Sequence, residues 1–99
     1  MTVMRDYELT VVFSPEIPEE DLGSEIEKVS QLVTENGGEL VGEVNRWGRR
    51  RLAYPIRHFR EGSYVLAQMK LEPHRAKELD RNLRSSEGVL RHLLVRLGE

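Results

Sequence analysis

The sequence predicts an α+β domain with elements in the order β-α-β-β-α-β, and three observations carry that prediction. Four stretches alternate or concentrate apolar residues with a period of two, as half-buried strands do. Two further stretches set apolar residues three and four apart, the stripe of an amphipathic helix. Each of those stripes opens after a proline with acids beside it and closes near glycine.

Taken in order, Tyr7, Leu9, Val11 and Phe13 alternate with Asp6, Glu8, Thr10 and Val12, a strand with one buried face that Ser14-Pro15 ends. Pro18 fits the first position of a helix, and Glu19, Glu20 and Asp21 suit the positive end of its dipole. Leu22, Ile26, Val29 and Val33 form its inner stripe, and Asn36-Gly37-Gly38 stops it, because glycine accepts a left-handed cap. A second strand begins near Glu39, with Leu40 and Val44 as its clearest apolar positions, and runs through an arginine-rich stretch toward Ile56. Gly42 and Gly48 mark bulges or close approaches within it, and Pro55, which cannot donate to a ladder, is where it frays or turns. His58 to Gly62 is expected to be a connecting loop. Ser63 to Leu71 is a third strand, with Val65, Ala67, Met69 and Leu71 on one face and Tyr64, Leu66, Gln68 and Lys70 on the other.

Glu72-Pro73 opens a second helix with Ala76, Leu79 and Leu83 inward, and Gly88 is expected to end it. Val89 to Leu97 is the last strand, Arg91, Leu93 and Val95 facing away from Leu90, His92 and Leu94. This order is the split βαβ, or ferredoxin-like, plan: a four-stranded antiparallel sheet with both helices on one face. The other face then lacks a helical cover, and its apolar residues imply a wet face or a docking surface. With no linker, repeat or low-complexity tract, residues 1–99 are expected to form one domain.

Composition narrows the function. The chain has no cysteine, which removes disulfides, thiolate metal sites and cysteine nucleophiles. His58, His74 and His92 stand too far apart in sequence for a metal-binding pair. The N-terminus carries no apolar leader and no apolar run reaches membrane-spanning length, so a cytoplasmic protein is expected. The net charge of −2 conceals a division: residues 1–45 hold two bases against eleven acids, net −9, and residues 46–99 thirteen bases against six acids, net +7. A chain divided this way steers a polyanion toward one side and repels it from the other.

From Arg46 to Arg60 there are six arginines and no acid, interleaved with Trp47, Tyr54 and Phe59. Arginine is planar, permanently charged and able to hold phosphate oxygens in pairs. Along an extended strand Arg49 and Arg51 share one face and Arg50 takes the other. A ribbon with cations on both sides suits RNA recognised by shape and backbone rather than by base code. The candidate RNA-binding residues are Arg46, Arg49, Arg50, Arg51, Arg57, His58 and Arg60. Arg57 and Arg60 have an alternative use as partners of the acidic helix. Trp47 is open between a core or hairpin anchor and a stacking platform, and Tyr54, beside Pro55, is expected to pack across the sheet.

Other chemistries fit less well. An acylphosphatase-like enzyme needs a glycine-rich phosphate loop after the first strand, where this chain has Phe13-Ser14-Pro15-Glu16-Ile17-Pro18. An RNA-recognition motif needs aromatics in a basic third strand, of which only Gly62 and Tyr64 are present, with Glu61 in place of the base. A small-molecule-binding regulatory domain of the same fold leaves the arginine ribbon without a use.

Gly48-Arg49-Arg50-Arg51-Leu52-Ala53-Tyr54-Pro55-Ile56 closely resembles the G-x-R-R-L-A-Y-P-I signature of the family of the sixth protein of the bacterial small ribosomal subunit. Met4-Arg5-Asp6-Tyr7-Glu8 resembles that family's M-R-x-Y-E opening. The resemblance implies a ferredoxin-like fold, no enzymatic activity and no cofactor. It also implies binding to small-subunit ribosomal RNA in the central-domain platform, together with the eighteenth small-subunit protein. Arg50 through Ile56 match the signature one by one; the wider arginine set is assigned to RNA on charge. Met1-Thr2-Val3 precedes the usual start and is expected to have no role, and the chain ends at Glu99 without the acidic tail of some members.

Overall fold

A computed structural model describes residues 3–98. In chain order its elements are β1 (Arg5–Phe13), α1 (Glu19–Glu35), β2 (Glu39–Ile56), β3 (Phe59–Leu71), a 3-10 turn (Pro73–Arg75), α2 (Ala76–Arg84) and β4 (Val89–Arg96). The strands form one antiparallel sheet in the order β2-β3-β1-β4. That is the ferredoxin-like plan, with β1 central and β2 and β4 at the edges. Met1, Thr2 and Glu99 lie outside the described residues, while Val3 is exposed.

The period-two pattern of β1 is what builds the core. Tyr7, Leu9, Val11 and Phe13 point toward the helices, where they meet Val65, Met69 and Leu71 of β3 and Leu22, Val33, Leu79 and Leu83 of the two helices. Leu71, Leu79, Leu83 and Val33 are 0% exposed. Each such side chain contributes about 1.5–3 kcal/mol by leaving water, so this cluster holds both helices on one face.

Helix α1 ends as its sequence suggests. Gly37 has φ +81°, its N–H donates to the Thr34 carbonyl at 2.9 Å, and the Gly38 N–H donates to the Val33 carbonyl at 2.8 Å. This is a Schellman cap, and the Asn36 side chain adds a bond to the Leu32 carbonyl at 2.8 Å. At its other end Pro18 is the extended residue before the helix rather than its first helical residue.

Three further expectations are corrected. The segment His58–Gly62 is not a loop: β3 begins at Phe59, and Ile56 pairs with Phe59 across a turn made of Arg57 and His58 alone. Those two residues have φ +50° and +58°, so the turn is of type I′, whose twist matches that of the strands it joins. Helix α2 stops at Arg84, before Gly88, with Ser85 and Ser86 returning their hydroxyls to the Arg81 and Asn82 carbonyls. Leu90 does not share a face with His92 and Leu94. A bulge lets Val12 face Arg91 but Phe13 face Val89, so Val89 enters the helix-side core and Leu90 packs on the opposite face.

That opposite face has a second, smaller cluster. β2 is 18 residues long and β1 only 9. The pairing of β1 with β3 ends at Phe13 and Ser63, so the β2–β3 hairpin overhangs the end of β1. Pairing within the overhang lapses between Arg51 and Ile56, around Pro55. Leu52, Ile56 and Phe59 from this stretch pack with Val12, Tyr64 and Leu90. The overhanging ribbon is thereby seated against β1 and β4.

Candidate nucleic-acid interface

The overhanging ribbon carries most of the arginines. Arg49, Arg50 and Arg51 lie opposite Ser63, Gly62 and Glu61 in the ladder. Ser63 faces Phe13 and so stands on the helix side. Arg49 and Arg51 therefore share that side and Arg50 takes the other, as strand alternation requires. Arg57 and His58 form the tip, Arg60 follows on β3, and Arg46 lies further back, opposite Val65. All seven side chains are exposed.

Gly62 makes the close seating of the ribbon possible. A Cβ there would stand 2.5 Å from the Val12 side chain at Cγ1 and 3.0 Å from the Phe13 carbonyl oxygen, the latter backbone that cannot readily yield.

How the cations are occupied distinguishes them from the arginines on and beside α2. On and beside α2, Arg75, Arg81 and Arg84 pair with Glu72, Glu78 and Asp80 at 3.9, 3.3 and 2.7 Å. On the ribbon, Arg49 donates to the Pro15 carbonyl at 3.1 Å and has a long ion pair of 3.8 Å with Glu61. Arg46 lies along α1, where its Nη2 would stand 3.2 Å from a Cβ at Gly23. Arg50 sits over the Trp47 ring, 5.4 Å from its centroid. Among the described residues, Arg46, Arg51, Arg57 and Arg60 have no side-chain hydrogen bond or ion pair, so Arg57 and Arg60 do not pair with the acidic helix. A charge with no partner in its own chain keeps its full attraction for an external anion, screened over about 8–10 Å by salt.

One member of this surface, Arg91, is not evident in the sequence. Arg91 of β4 donates to the Tyr54 hydroxyl at 2.9 Å, with its guanidinium 5.8 Å from the ring centroid. Tyr54 thus reaches across to β4 as expected, yet the residue stays 58% exposed rather than packed. This contact brings Arg91 beside the ribbon although it lies 31 positions after Arg60 in the chain. Arg57 shares with Arg84, Arg91, His92 and Asp80 the wall of a cavity of about 300 Å³. Inside that wall His92 Nε2 lies 2.6 Å from Asp80 Oδ1, joining β4 to α2.

Another cavity, of about 530 Å³, has the opposite character. It lies between the β1–α1 loop and the turn before β4, lined by Glu16, Asp21, Glu25 and Glu87 with Lys28 as the cation. Four carboxylates there repel a phosphate, which removes the acylphosphatase-like reading on electrostatic grounds.

Beside the ribbon, the open sheet face presents Val41, Leu93 and Val95 at 44%, 54% and 40% exposure. Their ladder partners Gln68, Thr10 and Glu8 place them on the side away from the helices. An arginine arm therefore borders a partly apolar sheet.

Comparison with known proteins gives this architecture a family. The family described as Ribosomal protein S6 matches residues 6–96. The small ribosomal subunit protein bS6 of Desulforudis audaxviator is 44% identical over 93 residues, covering 94% of this chain and 98% of that protein. Its counterpart in Moorella thermoacetica is 44% identical over 96 residues, covering 97% of each. The crystal structure of 30S ribosomal protein S6 from Thermotoga maritima superposes with a TM-score of 0.85 at 28% identity, covering 95% of this chain and 88% of that one. The chain belongs to the ribosomal protein S6 family, structural proteins of the small ribosomal subunit.

Proposed function

We propose that this protein binds small-subunit ribosomal RNA of the central domain jointly with the eighteenth small-subunit protein, and so contributes to assembly of the platform and to translation. Its role is structural, without catalysis. Arg46, Arg49, Arg50, Arg51, Arg57, His58 and Arg60 take the RNA backbone, and the open sheet face takes the protein.

The observation that carries this reading is the contrast in how arginines are occupied. Those of α2 are neutralised by neighbouring acids, whereas the ribbon holds exposed guanidiniums, four of which (Arg46, Arg51, Arg57 and Arg60) have no side-chain hydrogen bond or ion pair among the described residues. Holding that many cations on one arm is unfavourable in the isolated protein through mutual repulsion, and a polyanion relieves it. The acidic wall around Glu16, Asp21, Glu25 and Glu87 limits how RNA approaches from the α1 side. A second protein on Val41, Leu93 and Val95 would bury apolar surface while RNA neutralises the arm, so each component favours the other.

The test is retention of a central-domain RNA fragment with and without the eighteenth protein, across a salt series. The expected result is binding that needs the partner and weakens as salt rises. Binding by neither the protein alone nor the pair, or binding indifferent to salt, would overturn the proposal.

A further inference from the structure

The chain's single tryptophan stands where neither the core nor the ladder requires it. β2 gains one residue on β3 between Arg46, opposite Val65, and Gly48, opposite Tyr64, and Trp47 is that residue. Gly48 has φ +85°, yet a Cβ there would meet nothing within 4 Å. The glycine therefore serves the bend of the backbone and not a crowded contact. Bulges of this kind re-aim a side chain. The indole so re-aimed joins neither apolar cluster, and Trp47 as a residue remains 50% exposed.

Its orientation is nevertheless held. The Arg50 guanidinium lies over the ring at 5.4 Å, and Arg50 Nε donates to the Trp47 carbonyl at 3.4 Å. A cation set against the π face fixes the ring at little entropic cost and still presents charge to solvent. A half-exposed indole, backed by a guanidinium and flanked by Arg46, Arg49 and Arg51, has the two elements of a single-strand platform: a flat π surface and cations for the adjoining phosphates.

We propose that Trp47 stacks one unpaired RNA base, with Arg50 bracing the indole and holding a phosphate next to that base. This rests on the RNA-binding reading above and adds to it a base contact, in a surface otherwise suited to backbone and shape. A protein side chain is the less suitable occupant. It would have to cover Arg50, which has no carboxylate partner among the described residues, and leave that charge desolvated. A base brings its own phosphate.

The single tryptophan makes the test direct. The protein, with the eighteenth small-subunit protein, is titrated with the central-domain RNA fragment while indole emission is followed. W47F serves as the blank for emission from the other components, and affinities are measured for W47A, W47F and R50Q over a salt series. Stacking predicts quenching that W47F lacks, and an affinity lowered about 10-fold in W47A, within a range of about 5- to 150-fold for one base. W47F should restore most of that loss. The salt slope should be unchanged in W47A, because the indole carries no charge, and reduced in R50Q. A urea melt confirms that each variant is folded.

If RNA binds with its full salt dependence but emission and W47A affinity do not change, the stacking proposal fails and the RNA reading stands. If emission changes on adding the partner protein alone and W47A weakens that protein pair, Trp47 is a protein contact and the proposal fails. If wild-type protein and partner bind no RNA, both readings fall together.

Discussion

The turn at the tip of the ribbon allows stability and binding to be moved in opposite directions. Arg57 and His58 both occupy left-handed backbone, φ +50° and +58°, which costs an L-residue with a Cβ about 1–2 kcal/mol. A type I′ turn prefers Asn-Gly at these positions. In R57N/H58G the asparagine relieves part of the strain at the first position. The glycine removes it at the second, while giving back about 0.5–1 kcal/mol of chain entropy. The net expectation is a gain of about 1–2 kcal/mol, or roughly 5–10 °C in melting temperature for a domain of this size. Urea denaturation followed by circular dichroism should show a higher midpoint at unchanged slope. The same variant removes the Arg57 charge, and one lost phosphate contact should lower the log–log salt slope of RNA binding by about 0.7–0.9. A variant less stable than wild type would show that side-chain contacts hold the turn, such as the His58 ring 5.2 Å from that of Phe59. A more stable variant with an undiminished slope would place the tip away from the RNA.

The packing account makes three further predictions. Leu83, 0% exposed between α2 and the sheet, should cost about 2–5 kcal/mol on L83A, read by the same urea melts. G62A drives a Cβ to within 2.5 Å of Val12 Cγ1 and 3.0 Å of the Phe13 carbonyl oxygen. It should lose about 1–3 kcal/mol and loosen the seating of the ribbon, seen as faster amide exchange at Leu52 and Tyr64. D80A leaves His92, whose side chain is only 10% exposed, without its carboxylate partner, and frees Arg84. A loss of about 1–3 kcal/mol is expected, with the exchange of β4 amides rising more than that of β1 amides.

Much of the fold is legible in the sequence because its core obeys simple periods. The alternation in β1 and the stripe Leu22, Ile26, Val29, Val33 locate the helix-side core directly. What was hidden has local causes. The turn at Arg57-His58 has neither glycine nor asparagine, so its left-handed backbone leaves no compositional trace, and the start of β3 is concealed by the polar run Arg60-Glu61. The displacement of Leu90 follows from a bulge that no residue type announces. The arginines of the candidate site were legible by count and alternation. The freedom of all but Arg49 from ion pairs, the exposure of Trp47 and the arrival of Arg91 beside Tyr54 depend on three-dimensional placement and could not be read from one strand.

The central claim is that the ribbon arginines are present for RNA and not for the fold, and R50Q/R51Q tests it most directly. Both side chains are exposed, with no carboxylate partner among the described residues. The urea midpoint should therefore correspond to a stability within about 0.5 kcal/mol of wild type. Central-domain RNA binding in the presence of the eighteenth protein should weaken, with a salt slope lower by about 1.4–1.8 for two phosphate contacts. A folded variant that binds with the wild-type slope, or one that no longer folds, would contradict the account.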